Sequence, residues 1–341
     1  MDKPYLKDFT EEELKQLPEI APAYRARQVF AWLHRGVGSA SEMTDLPKSL
    51  REALDEHYVV SKPTLLRRQI SSDGTRKYLW ELSDGNCVES VLMQYAHGVS
   101  VCVSTQAGCR MGCVFCASAK NGLSRNLRPS EILDQILFTG LDAGVRVSHI
   151  VLMGTGEPLD NYDNVLRFLK LVGAPGGLNI GARNISLSTS GLCDQIDRLA
   201  EERLQITLSV SLHAPNDTLR QQIMPIARAY PMEQLLASCN AYFVKTGRRI
   251  SYEYIMIRGF NDTPACAREL AHKLSDTGSH VNMIRLNDIA ESPLKPSTPE
   301  AVRRFQQILQ SSGVNATLRR RLGADIDAAC GQLRKKQIDT H

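Results

Sequence analysis

Three thiols crowd one short stretch of this chain, Cys109-Arg110-Met111-Gly112-Cys113-Val114-Phe115-Cys116, and Cys102 lies seven positions before the first of them. Thiolates this close repel one another unless a cation holds them, so the spacing points to a metal centre rather than to core packing. Zinc would want a fourth ligand, whereas an iron–sulfur cube can be held by three cysteines with one iron left open. Gly112 lets backbone pack close to such a group, and Phe115 can shield it from water. Other residues could do chemistry but are ambiguous alone. Gly154-Thr155-Gly156-Glu157-Pro158 reads as a tight turn with an acidic side chain, while Ser188 and the Ser211-Leu212-His213 step could be ordinary strand residues. Glu89, beside Val88 and Val91, reads as a solvated strand residue, and Cys330 as a thiol near the C-terminal end.

The elements that must position these groups fall into two kinds. The first sixty residues read as short helices: Thr10 followed by Glu13 forms a capping box, and Gly36 stops a helix that carries Val29, Trp32 and Leu33 on one face. Three alternating segments follow, near 65–70, 77–82 and 87–93, separated by Ser72-Asp73-Gly74 and Ser83-Asp84-Gly85. Asp-Gly between such runs is a hairpin signal, so a small meander is expected. From about Ser100 the pattern becomes strand, turn, helix, repeated. Strands are expected at 101–104, 149–153, 185–188, 206–212, 250–257 and 281–286, with helices beginning near Ser130, Tyr162, Leu192, Met232, Pro264 and Pro299.

Six such units imply an α/β fold with a parallel sheet, curled into a barrel or an open partial barrel. Too few units are present for a complete eight-stranded barrel. The site of such folds sits at the C-terminal ends of the strands. Order alone then brings five loops to one mouth: the cysteine loop after the first strand, Gly154 to Pro158 after the second, Thr189-Ser190-Gly191 after the third, His213 after the fourth and Asn287 after the sixth. The expected organisation is an accessory region at 1–85, a barrel at 86–325 and a C-terminal segment at 326–341 that carries Cys330. A further strand is expected at 315–321.

Length and composition bound the rest. A chain of 341 residues with 43% hydrophobic content can build one large or two ordinary cores, and 41 basic against 37 acidic residues leaves too small an excess to announce a nucleic-acid partner by charge alone. The start, Met1-Asp2-Lys3-Pro4-Tyr5, lacks an apolar signal core, and no run approaches the roughly 18 apolar residues of a membrane span, so a cytoplasmic location is expected. Nine cysteines, an odd number, argue against a disulfide framework and for reduced thiols or metal ligands.

An open iron accepts a chelating ligand, and the amino and carboxylate groups of S-adenosylmethionine (SAM) are one such chelate. The cysteine spacing, with an aromatic before the last Cys, resembles the radical SAM superfamily. The flanks narrow this: Cys102-Val103-Ser104-Thr105-Gln106-Ala107-Gly108-Cys109, Gly122-Leu123-Ser124-Arg125-Asn126-Leu127, Ser211-Leu212-His213-Ala214-Pro215-Asn216-Asp217 and Ala328-Ala329-Cys330-Gly331-Gln332 resemble the RlmN/Cfr family of radical SAM RNA methyltransferases. The similarity runs from about Glu89 to Gln332, with a weaker match in the N-terminal helices.

The resemblance implies a partial (βα)6 radical SAM barrel and a role for each matching residue. Cys109, Cys113 and Cys116 match the ligands of a 4Fe-4S cluster. Gly156, Glu157, Ser188, Ser211, Leu212, His213 and Asn287 match the SAM contacts. Cys330 matches the cysteine that is methylated, Cys102 the one that resolves the intermediate, and Glu89 the proton acceptor. Family members methylate an aromatic adenine carbon, using two SAM molecules per turnover. The implied targets are C2 of an adenine in 23S rRNA and a tRNA adenine beside the anticodon, with C8 methylation as the runner-up. A reductant would serve both the cluster and a transient Cys102–Cys330 disulfide, and the chain is expected to be a monomer.

Basic residues fit an RNA partner: Arg67, Arg68, Arg76 and Lys77 around the first hairpin, and Arg319-Arg320-Arg321 and Arg334-Lys335-Lys336 near the reactive end. One departure from the family stands in the sixth strand, where Ile284-Arg285-Leu286-Asn287 replaces the usual Ile-Pro-x-Asn. The rival from another class is a non-enzymatic RNA-binding protein with zinc on Cys102, Cys109, Cys113 and Cys116.

Overall fold

The structure, a computed structural model, describes residues 3–119, 122–275, 277–286, 293–323 and 325–326. Short helices open the chain: α1 (Glu11–Leu14), capped by the reciprocal Thr10–Glu13 box, α2 (Tyr24–Leu33) and α3 (Lys48–His57). Leu6, Leu14, Val29, Phe30, Leu33, Leu50 and Leu54 form their own apolar cluster, which also takes in Leu171 from the barrel. A buried ion pair, Lys7 Nζ to Asp134 Oδ1 at 2.5 Å, ties this region to the barrel helix that follows the cysteine loop.

Among the described residues one sheet holds ten strands. In chain order these are β1 (Thr64–Ile70), β2 (Arg76–Glu81), β3 (Cys87–Tyr95), β4 (Gly98–Cys102), β7 (His149–Leu152), β8 (Ile185–Thr189), β9 (Thr207–Ser211), β10 (Ser251–Met256), β11 (His280–Arg285) and β12 (Asn315–Leu318), adjacent in that order. The pairs from β1 to β4 are antiparallel and those from β4 to β12 parallel. A small separate hairpin, β5 (Gln106–Gly108) with β6 (Leu123–Asn126), brackets the cysteine stretch.

The helices α4 (Pro129–Ala143), α5 (Tyr162–Gly173), α6 (Cys193–Glu201), α7 (Asp217–Ile223), α8 (Met232–Thr246), α9 (Pro264–Leu274) and α10 (Pro299–Ser311) connect the parallel strands. Three of these starts follow local rules: Pro is the first residue of α4, α9 and α10, and Thr263 and Thr298 cap the latter two through their hydroxyls. Gly144 and Gly247 end α4 and α8 in the left-handed conformation. On α5, Val165, Phe168 and Val172 form the buried stripe, each contributing about 1.5–3 kcal/mol of burial.

The fold is thus an α/β partial barrel, and it differs from the sequence expectation in two details. First, the meander is not a separate layer. β2 pairs with β3 and β3 with β4, so a division at residue 85 runs through a single continuous sheet. Second, the last strand stops at Leu318, and the chain after it returns across the sheet. Leu322 packs against the cluster of Val91, Met93 and Cys102. Gly323 N–H then donates to Asp73 Oδ2 at 2.9 Å, and the Asp325 carboxylate accepts from Ser71 Oγ and, at 2.9 Å, from Ser72 N–H. The end of the described chain is thereby hooked to the β1–β2 turn.

Candidate active site

Strand alternation builds the interior of the barrel. Leu187, Leu208, Val210, Tyr252, Tyr254 and Val281 turn outward into the core beneath the helices. Their neighbours Ser186, Ser188, Ser209, Ser211, Glu253 and Asn282 therefore face inward. Register sets Ser211, Glu253 and Asn282 side by side, and Asn282 Nδ2 donates to Glu253 Oε2 at 2.9 Å. A polar lining on hydrophobic-backed strands is what a charged small molecule needs.

The cysteine loop leaves β5 at the mouth of this barrel. Its base is pinned where Cys109 N–H donates to Gly122 O at 2.8 Å, and Gly108 adopts φ +93° with no room for a Cβ, which would lie 2.1 Å from that same oxygen. Cys113 and Phe115 pack against Ile223, Met224, Ile255, Ile257 and Leu286, and Val114 N–H donates to Ile223 O at 3.0 Å. Burial pushes the Cys109 thiol up to about 12, with Cys116, Glu157 and Asp160 adding negative charge nearby. Burial raises Cys113 as well, again with the other two cysteines opposing its ionisation.

Three thiols on one short loop, with Cys109 and Cys113 reluctant to ionise alone, suit a bound cation. Among the described residues no group of three His, Cys, Asp or Glu side chains could hold a single metal ion. Cys102 moreover lies in the apolar group of Val91, Met93, Val151 and Leu322, apart from the Cys113–Phe115 cluster, so the zinc tetrad of the rival reading is not assembled.

Gly156, Glu157 and His213 lie against the loop or the strand that leads into it. The turn after β7 presses on β5: Glu157 N–H donates to Gln106 Oε1 at 2.8 Å, and Gly156, at φ +113°, has no space for a Cβ, which would sit 2.7 Å from Gln106 N. The Glu157 carboxylate is buried and joins two loops, accepting from Leu159 N–H at 3.0 Å and from Ser190 N–H at 2.6 Å. Burial raises its pKa against the pull of those two N–H groups. Thr105 Oγ1, just after β4, is buried without a hydrogen-bond partner, a polar atom suited to a ligand at this mouth.

His213 is the most constrained residue here. It holds φ +58°, its ring packs edge-on against Phe115 with centroids 4.8 Å apart, and its Nδ1 accepts from Ile255 N–H at 3.1 Å. Burial, with Arg220 second, pushes its pKa down to about 3, so the ring is neutral with its proton on Nε2. The Leu212 side chain lies in the helix-packed core, leaving only main-chain atoms for any ligand.

Glu89 and Cys102 lie on neighbouring strands. Cys102 opposes Val91 on β3, Glu89 is two residues from Val91 on the same face, and Ser104 Oγ donates to Glu89 O at 2.8 Å. Glu89 is not solvated as its sequence context suggested: it is buried and paired with Lys77 Nζ at 2.9 Å. Lys77 is correspondingly no part of a basic surface, in contrast to the exposed Arg67 and Arg68. Asn287 and Cys330 lie outside the described residues, as do Arg334, Lys335 and Lys336.

Sequence reasoning missed Arg220 on α7. Fully buried, it donates through Nη2 to Ser190 O at 2.7 Å and Ser211 O at 3.3 Å, joining the loops after β8 and β9. An arginine inside a helix of seven residues gives no pattern from which burial could be read.

Comparison with known proteins agrees with this geometry. The radical SAM superfamily matches residues 103–269, and the ribosomal RNA large subunit methyltransferase N-terminal domain matches residues 5–60. A curated protein of Lachnoclostridium phytofermentans, named "Probable dual-specificity RNA methyltransferase RlmN", is 49% identical over 98% of this chain and 95% of its own length. One of the same name from Desulforamulus reducens is 51% identical over 97% and 96%. The crystal structure of a radical SAM methyltransferase from Sphaerobacter thermophilus superposes with a TM-score of 0.92 at 43% identity, covering 96% of this chain and 98% of that one. With both regions matched and identity near one half sustained from end to end, the chain belongs to the RlmN family of radical SAM RNA methyltransferases.

Proposed function

We propose that this enzyme methylates C2 of an adenine in 23S rRNA, and of a tRNA adenine beside the anticodon, by way of a methyl group carried on Cys330. The observation that carries the reading is the near-full-length similarity to relatives named as dual-specificity RNA methyltransferases. The cluster on Cys109, Cys113 and Cys116 would supply the electron that cleaves SAM reductively, which gives access to a ring carbon that has no lone pair to attack a methyl group.

The other steps fall to the chain's own residues. Gly156, Glu157, Ser188, Ser211, Leu212, His213 and Asn287 would bind and orient SAM at the strand ends. Neutral His213 adds a hydrogen-bond donor there without adding charge. Cys330, once methylated, would give up one methyl hydrogen to the radical that SAM cleavage supplies and join the base through the resulting methylene carbon, the odd electron of the adduct passing back to the cluster's electron supply. Glu89 would take the proton from the tetrahedral ring carbon, and Cys102 Sγ would attack Cys330 Sγ. The S–C bond then breaks, its electron pair stays with the carbon, which takes up a proton to become the methyl group, and a Cys102–Cys330 disulfide remains for a cellular reductant. The shared face of Glu89 and Cys102, and the packing of Leu322 beside Cys102, support this division of labour. Arg67, exposed on β1, would help hold RNA in the cytoplasm's ionic conditions.

Mass spectrometry of 23S rRNA and tRNA from a strain lacking the native enzyme, with and without this chain, tests the reading. Gain of 2-methyladenosine is expected; 8-methyladenosine, or no gain, overturns it.

A further inference from the structure

Lys77 is among the largest side chains wholly removed from solvent, and its ammonium lies 2.9 Å from Glu89 Oε2. The β2–β3 register explains the meeting: Lys77 opposes Val91 and Leu79 opposes Glu89, so Lys77 lies diagonally across from Glu89 on one face of the sheet. Cys102, opposite Val91 on the other side, shares that face. The neighbouring cations behave differently, since Arg67 and Arg68 are exposed and Arg68 pairs with Asp142 at 2.8 Å. A lysine stripped of water gains little from the pair in net stability, because desolvation consumes most of the Coulombic attraction. Its placement beside a carboxylate that shares a face of the sheet with Cys102 calls for another reason.

We propose that Lys77 is a positioning residue for the methyl-transfer reaction: its ammonium, 2.9 Å from Glu89 Oε2, holds that oxygen in place, so that the carboxylate is set to take the ring proton. This rests on the reading of Glu89 as proton acceptor. By register Arg67, Glu81, Cys87 and Cys102 also face this side of the sheet, and the ammonium in contact with Glu89 belongs to Lys77. The transfer itself balances simply: the ring C–H bond breaks, its electron pair returns to the ring, and the proton moves to a Glu89 oxygen.

The test uses full-length, cluster-loaded enzyme and an unmodified 23S rRNA transcript, following the covalent protein–RNA adduct on denaturing gels and 5′-deoxyadenosine by chromatography. Lys77→Met should still form the adduct but resolve it at least about tenfold more slowly near neutral pH, a modest part of what a general base contributes. Lys77→Arg, which keeps the charge, should resolve faster than Lys77→Met. Glu89→Gln should trap the adduct at every pH. Should Lys77→Met not fold, Lys77→Gln carries the same expectation. Adduct resolution by the Lys77 variants within twofold of the unaltered enzyme, while Glu89→Gln traps it, overturns the role of Lys77 and leaves that of Glu89 standing. Failure of Glu89→Gln to trap the adduct removes the proton-acceptor reading itself, and this proposal with it.

Discussion

Replacing Glu253 by glutamine should stabilise the fold, and more so as the pH rises. Glu253 lies inside the barrel at 3% exposure, flanked by Ser209, Ser251 and Asn282, and burial raises its carboxyl from the ordinary 4.5 to about 7, opposed by the charge of Arg319. The folded state therefore holds a proton that the unfolded chain releases between pH 4.5 and 7. Stability falls across that window as pH rises, the reverse of the usual salt-bridged carboxylate. A shift of this size costs the folded state about 3 kcal/mol at pH 8 and about 1 kcal/mol at pH 5. Glutamine keeps an oxygen for Asn282 Nδ2 and carries no charge, so it escapes the penalty. Urea unfolding at the two pH values, followed by far-UV circular dichroism, measures the difference between variant and unaltered chain. A gain larger at pH 8 than at pH 5 by about 2 kcal/mol is expected. An equal effect at both would refute the reasoning, since only ionisation of Glu253 distinguishes the conditions.

Other expectations follow from the site. Gly156→Ala places a Cβ 2.7 Å from Gln106 N at φ +113°, so it should cost about 1–3 kcal/mol and weaken SAM binding, read by calorimetric melting and titration. Cys113→Ala should lose most iron and sulfide after anaerobic reconstitution while keeping its far-UV spectrum, which elemental analysis checks; a full iron complement would remove Cys113 from the ligand set. Arg220→Leu leaves Ser190 O and Ser211 O without their charged donor, a loss of about 1.5–3 kcal/mol, and should lower SAM affinity through the two loops they end.

The order of strands and helices was legible because each uses a local signal that tertiary packing does not contradict. Ile185 to Thr189 and Thr207 to Ser211 alternate strictly, and Pro299 and Pro264 follow threonine caps. The β5–β6 hairpin was not legible, since strands of three and four residues are too short to show a period. Nor was the inward turn of Lys77. A lysine in a strand reads as solvent-facing, and its partner Glu89 becomes visible only when β2 and β3 are set in register. Glu89 itself read as exposed for the same reason, because alternation gives two faces but not which one is covered. The return of the chain through Leu322 to Asp325, hooked on Ser71 and Asp73, joins parts of the sequence about 250 residues apart and leaves no local trace.

The central claim, that two distant cysteines divide the carrying and the release of the methyl group, has a direct measurement. Cys102→Ala protein, expressed with a reconstituted cluster and recovered under denaturing conditions, is digested and analysed by mass spectrometry. The account predicts an RNA nucleotide joined through one carbon to the peptide containing Cys330. Cys102→Ala protein that carries a methylated Cys330 yet no attached nucleotide, while still producing methylated RNA, would contradict it.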